Sequence, residues 1–203
     1  MVKGILGIKL GMTSVYEGDK LVAVTVLKAG PCMVTNKITK EKNGYNAVQL
    51  GFMEVKPEKL NKPEAGVFKA KKLSMFRYLK EFRDMSGEIG DKVTVEIFKD
   101  SKFVSVSGVS KGKGFSGVVK RWGFGGWPKT HGSGGLRRPG SIGAGTTPGK
   151  VFKGHHMAGH LGVNQTTVQK LRVVKIIPEK DLILVKGNVP GPDKNFVVVR
   201  AGG

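Results

Sequence analysis

Three strings in the middle of the chain concentrate the side chains that could hold or act on a partner. KGKGFSGVVKRW at 111–122 sets Lys111, Lys113, Lys120 and Arg121 among glycines and ends on Trp122. Glycines let backbone approach a polyanion closely, cations meet phosphate oxygens, and an indole offers a face for base stacking. WPKTHGSGGLRRPGSIG at 127–143 adds Trp127, Lys129, His131, Arg137 and Arg138, with prolines and glycines that fix a path without helix or sheet. Guanidinium groups suit phosphates and base faces alike. TPGKVFKGHHMAGHLG at 147–162 contributes Lys150, Lys153, His155, His156, Met157 and His160. The first string also reads as a solvated basic turn.

Other chemistries fit these residues less well. In a helix, His156 and His160 would share a face, but no cysteine or carboxylate lies near to complete a metal set, and Gly154, Gly159 and Gly162 weaken any helix there. Histidines that stack on or bond to RNA are the better reading. A phosphate-binding G-x-x-x-x-G-K-[ST] loop fails on spacing, because Lys113 stands where the second glycine is needed. Ser110, Ser116, Ser133 and Ser141 share the region with histidines, but no acid is present to orient an imidazole. No metal, cofactor or catalytic group is expected. Asn164-Gln165-Thr166 matches a glycosylation sequon, which carries no weight without a secretory signal.

The charge distribution points the same way. The 203 residues carry 35 Lys and Arg against 15 Asp and Glu, a formal charge of +20. A molecule so charged repels itself unless a polyanion neutralises it. Residues 101–178 contain no acid and 13 Lys and Arg, so +13 of the +20 sits in this stretch. An anionic membrane would call for a basic amphipathic helix or a lipidation signal, and neither is seen. A single cysteine, Cys32, fits a reducing compartment, and Lys3, Gly7 and Lys9 interrupt any signal-like run, so a cytosolic protein is expected.

The elements that must position the basic strings read as β. LVAVTVL at 21–27, YNAVQLGF at 45–52, KVTVEIF at 92–98, TVQKLRVVKII at 167–177, DLILVKGNV at 181–189 and NFVVVRAG at 195–202 have strand composition. Turn signals at Glu17-Gly18-Asp19, Lys42-Asn43-Gly44 and Ser86-Gly87-Glu88 suggest antiparallel hairpins. Residues 63–72 suit a short helix with Pro63 in its first turn. Residues 108–162, with 17 glycines, all four histidines and both tryptophans, are too poor in periodic apolar residues to build a core. A loop this long must be functional or become ordered on a partner. The expected organisation is a β body from 1–110 and 163–203, with a helical connector near 60–85, and an extended arm at 111–162 inserted between strands.

MVKGILGIKLGMT at the start, KGKGFSGVVKRW, THGS, RRPGSIG, TPGKVFKG, MAGHLG and the closing LILVKGNVPG occur in an order and spacing that resemble the bacterial form of the universal large-subunit ribosomal protein L three. The resemblance implies a mainly β fold, an antiparallel β-barrel similar to that of translation factors, with the arm threading ribosomal RNA toward the peptidyl transferase centre. It also implies a structural, non-enzymatic role in the cytoplasmic ribosome: binding large-subunit ribosomal RNA near its 3′ end and nucleating assembly. The implied partners are that RNA and neighbouring large-subunit proteins, not a membrane, DNA or a second copy of the chain.

Matched position by position, the innermost arm segment falls on His155, His156, Met157, Ala158, Gly159 and His160, and the phosphate conduit on Lys111, Lys113, Lys120, Arg121, Arg137 and Arg138. The pair His155-His156 stands where relatives usually carry Lys or Arg. His160 occupies the place of a glutamine that is methylated in some relatives, so that mark cannot form here. Val163-Asn164-Gln165 departs from the Asn-Glu of many bacterial relatives, leaving this part of the arm freer of acid.

Overall fold

Strand-forming residues at alternating positions account for most of the regular structure, and the strands pair with antiparallel neighbours. The computed structural model describes residues 3–202, the side chain of residue 42 excepted. In chain order the strands are β1 Gly4–Glu17, β2 Lys20–Ala29, β3 Cys32–Ile38, β4 Ala47–Glu54, β5 Phe76–Arg83, β6 Lys92–Val93, β7 Phe103–Val109, β8 Phe115–Ser116, β9 Gly159–His160, β10 Gln165–Ile177, β11 Leu182–Lys186 and β12 Phe196–Ala201. Three short helices, α1 Lys40–Asn43, α2 Lys62–Ala70 and α3 Val118–Trp122, interrupt them. The chain divides into two compact units, one made of residues up to Val109 and from Gln165 onward, the other Ser110–Asn164.

In the first unit six strands pair in the order β1-β12-β7-β10-β11-β2, and β2 returns to β1, so the sheet closes on itself. Closure leaves no open edge among these strands. A second sheet, β5-β4-β3-β6, joins the same core. Ile5, Leu6, Leu27 and Val106 from the ring and Val34, Val48, Leu50 and Phe82 from the second sheet are all buried in one cluster. Each such side chain contributes about 1.5–3 kcal/mol on burial. Gly4 admits Phe82 to that cluster: a Cβ at residue 4 would stand 2.2 Å from the Phe82 ring.

A buried cation secures one end of the ring. Lys9 is only 7% exposed, and its Nζ donates to the carbonyls of Val189 at 3.1 Å and Gly191 at 3.0 Å. An ammonium group buried without such partners would be strongly destabilising. Asn195 Nδ2 in the same loop donates to Val109 O at 3.0 Å, bracing the end of β7.

Several sequence expectations need correction. KVTVEIF is not one strand: only Lys92 and Val93 pair with β3, and Val95–Phe98 winds into a 3-10 turn. The three-residue period puts Val95 and Phe98 on one side, and both are fully buried. Lys42-Asn43-Gly44 is not a hairpin turn but the end of α1, closed by Gly44 at φ +81°. The helix expected at 63–72 forms as α2, where Glu64 Oε2 accepts the Asn61 N–H at 3.4 Å. Phe76–Arg83, inside the stretch read as a connector, is a strand paired to β4 along its length.

Candidate nucleic-acid interface

In the Ser110–Asn164 unit the backbone does most of the structural work. The two ends of the segment are tied by Ser110 N to Asn164 O at 2.9 Å and Val163 N to Ser110 O at 3.2 Å. Lys113 N donates to Leu161 O and Leu161 N to Gly114 O, both at 2.9 Å, and β8 then pairs with β9. Gly162 is indispensable to this ladder. Its φ is +85°, and a Cβ would lie 2.1 Å from Lys111 O. Among the described apolar side chains of the unit only Val118 is buried, on α3.

At the C-terminal end of α3, two donors converge on one carbonyl. Arg121 Nη1 and Trp122 Nε1 both donate to Met157 O, at 2.8 and 2.9 Å. The Trp122 and His156 rings stack with centroids 4.0 Å apart and an interplanar angle of 6°. Gly159 makes room, since a Cβ there would meet Arg121 Nη1 at 2.6 Å. Arg121, Trp122, His156 and Met157 therefore meet although 34 to 36 positions separate the two ends in sequence, and one face of each ring is already taken by the other. In the next stretch Trp127 N donates to Leu136 O at 3.1 Å, the Trp127 ring lies against Gly135 and Gly140, and Arg138 N donates to Gly135 O at 2.8 Å.

Around this frame the cations are presented outward. Lys111, Lys113, Lys120, Lys129, Arg137, Arg138, Lys150 and Lys153 are exposed, as are His131, His155 and His160, and Arg121 is partly covered. No ion pair engages any of them among the described residues. With no acid in the segment, nothing within it competes for a phosphate. Nine of the thirteen cations of the acid-free stretch lie here. Lys102, Lys170, Arg172 and Lys175 belong to the other unit, where Arg172 pairs with Glu17. The site reading passed over these four, although the acid-free composition runs through them.

No helix carries His156 and His160 on one face, because 155–158 is irregular and His160 is in β9 opposite Phe115. Among the described residues no group of three or more His, Cys, Asp or Glu could hold a metal ion. The spacing G-x-S-x-G does occur, at 108–112, but a nucleophile elbow turns from strand into helix. Here Ser110 leaves β7 for the irregular run before β8, and its Oγ accepts the Asn164 N–H at 3.3 Å. Cys32 is buried, and burial pushes its thiol up to about 12. No described helix is long and apolar enough to cross a membrane.

A β body is interrupted by an acid-free, glycine-framed segment that presents its cations outward. Residues 87–181 match the family model of ribosomal protein L3, a match that supports membership of that family, whose members are structural proteins of the large ribosomal subunit. The matched stretch contains the whole Ser110–Asn164 unit. The similar strings at 1–13 and 182–191 lie outside it.

Proposed function

We propose that the chain binds large-subunit ribosomal RNA near the 3′ end of that RNA, helps nucleate subunit assembly, and reaches toward the peptidyl transferase centre with residues 111–162, in the manner of the bacterial form of the family. One observation carries this reading: nine cations stand on a backbone frame that contains no acid. The frame at 110–116 and 159–164 is held by its own hydrogen bonds. The long cationic side chains order as they replace counterions on converging RNA strands. Lys111, Lys113, Lys120, Lys129, Lys150 and Lys153 act as point charges on phosphates, and Arg137 and Arg138 add planar, bidentate contacts. The exposed parts of the Trp122, Trp127 and His156 rings suit stacked bases. Peptide bond formation is not assigned to any residue here.

The test is competition for the intact protein between the 3′ domain of large-subunit ribosomal RNA and an unrelated RNA of equal length, at about 0.15 M salt. Preference for the ribosomal RNA is expected. Equal affinity would return the protein to the class of general RNA chaperones, which use charge without a defined site.

A further inference from the structure

The first unit has a surface groove that the RNA-binding role leaves unused. It has a volume of about 380 Å³ and is lined by Ile8, Pro31, Met33, Phe52, Met53 and Phe76. Lys28, Lys92 and Glu54 also border it and are exposed. We propose that this groove docks an apolar side chain of a neighbouring protein, on a segment that carries a carboxylate beside that side chain. The inference rests on the reading of the chain as a component of the large subunit.

Three observations support it. Met53 has φ +63°, a left-handed conformation that costs a non-glycine residue about 1–3 kcal/mol, yet the residue is 41% exposed and borders the groove. Met33 and Met53 together give the adaptable lining that docking surfaces use. Second, the groove lies mostly in the part of the chain with nearly balanced charge. Residues 30–100 hold 14 Lys and Arg against 10 Asp and Glu, a net +4, whereas 101–178 hold 13 against none. The groove itself carries Lys28 and Lys92 against Glu54, a net charge of only +1, which is weak for a phosphate-binding face. Third, most of the lining side chains are apolar, and Lys28, Glu54 and Lys92 are the charged groups at the border, a lining suited to an apolar side chain flanked by a charge. Lys28 and Lys92 form no ion pair among the described residues and complement a carboxylate on the incoming segment.

The test places a diazirine-bearing methionine analogue at position 53 alone, assembles the chain into large subunits, irradiates them and identifies the crosslinked residue. The expected product is a protein crosslink within two residues of an apolar side chain that has Asp or Glu next to it, with a yield that falls at least about tenfold in the Lys28→Glu/Lys92→Glu variant. A crosslink to ribosomal RNA, reaction with solvent alone, or a yield indifferent to charge reversal, in subunits that contain the chain, would overturn the inference. Failure of the unsubstituted chain to enter subunits would instead overturn the proposed function, and the groove's role with it.

Discussion

The two units of this chain solve the problem of holding a shape in opposite ways. Up to Val109 and from Gln165 onward, buried side chains decide: Phe82, Phe98, Ile5, Leu6 and Leu27 are at most 1% exposed and fill one cluster. In Ser110–Asn164 almost every side chain is outside, and glycine-dependent backbone contacts set the path. A region that must present cations to a polyanion cannot also bury them, so its order comes from the main chain. The contrast teaches that the sensitive residues of the two units differ in type: large and apolar in one, glycine in the other.

The largest expected effect is in the body. Phe98→Ala removes a fully buried ring and is expected to cost about 3–5 kcal/mol, read from the urea midpoint of unfolding. Gly162→Ala comes next, at about 1–3 kcal/mol from its φ of +85°, together with the contact against Lys111 O. Its damage should be local: hydrogen exchange at the Lys113 and Leu161 amides speeds up while the urea midpoint of the body stays put. A loss of body stability matching that of Phe98→Ala would break the comparison.

Burial of Cys32 supplies a pH test confined to the body. The folded thiol keeps its proton up to about 12, whereas the ordinary value is 9.0. The folded state therefore binds more protons above pH 9, so this contribution is complete below pH 9 and is lost as pH rises toward 12. The slope is about 1.4 kcal/mol per pH unit in that window. Chemical denaturation from pH 8.5 to 10.5 should show the decline in the wild type and a shallower one in Cys32→Ala. Identical slopes would mean that the thiol is not held neutral by the core. The smallest effect sharpens the other side: Arg137→Ala and Arg138→Ala should each make the salt dependence of RNA binding shallower by about one phosphate contact, leaving unfolding unchanged.

Legibility in the sequence also divides by unit. The strands β2, β4, β10, β11 and β12 were readable because apolar β-branched residues dominate them. β1 was not, since Gly4, Gly7 and Gly11 dilute its signal, and two of these glycines are there to let Phe82 and the Lys28 carbonyl approach. β5, FRYLKEFR, hides because four of its eight residues are charged and only Phe76 and Phe82 are buried. The cations of the arm were legible individually, because phosphate binding asks for residue types rather than a fixed geometry. The convergence of Arg121 and Trp122 on Met157 O was not, as it depends on Gly159 and a chain reversal that no local pattern announces.

The central claim, that the body forms without the arm while the arm supplies the phosphate contacts, is tested most directly by the salt dependence of binding to the 3′ domain of large-subunit ribosomal RNA. The intact protein is compared with a variant lacking residues 124–160. If six to ten phosphates are neutralised, the intact protein should give a slope of log affinity against log salt on the order of −5 to −9. The variant should remain folded, keep its preference for the ribosomal RNA and show a distinctly shallower slope. Equal slopes for the two proteins, or a flat response in the intact one, would contradict the account.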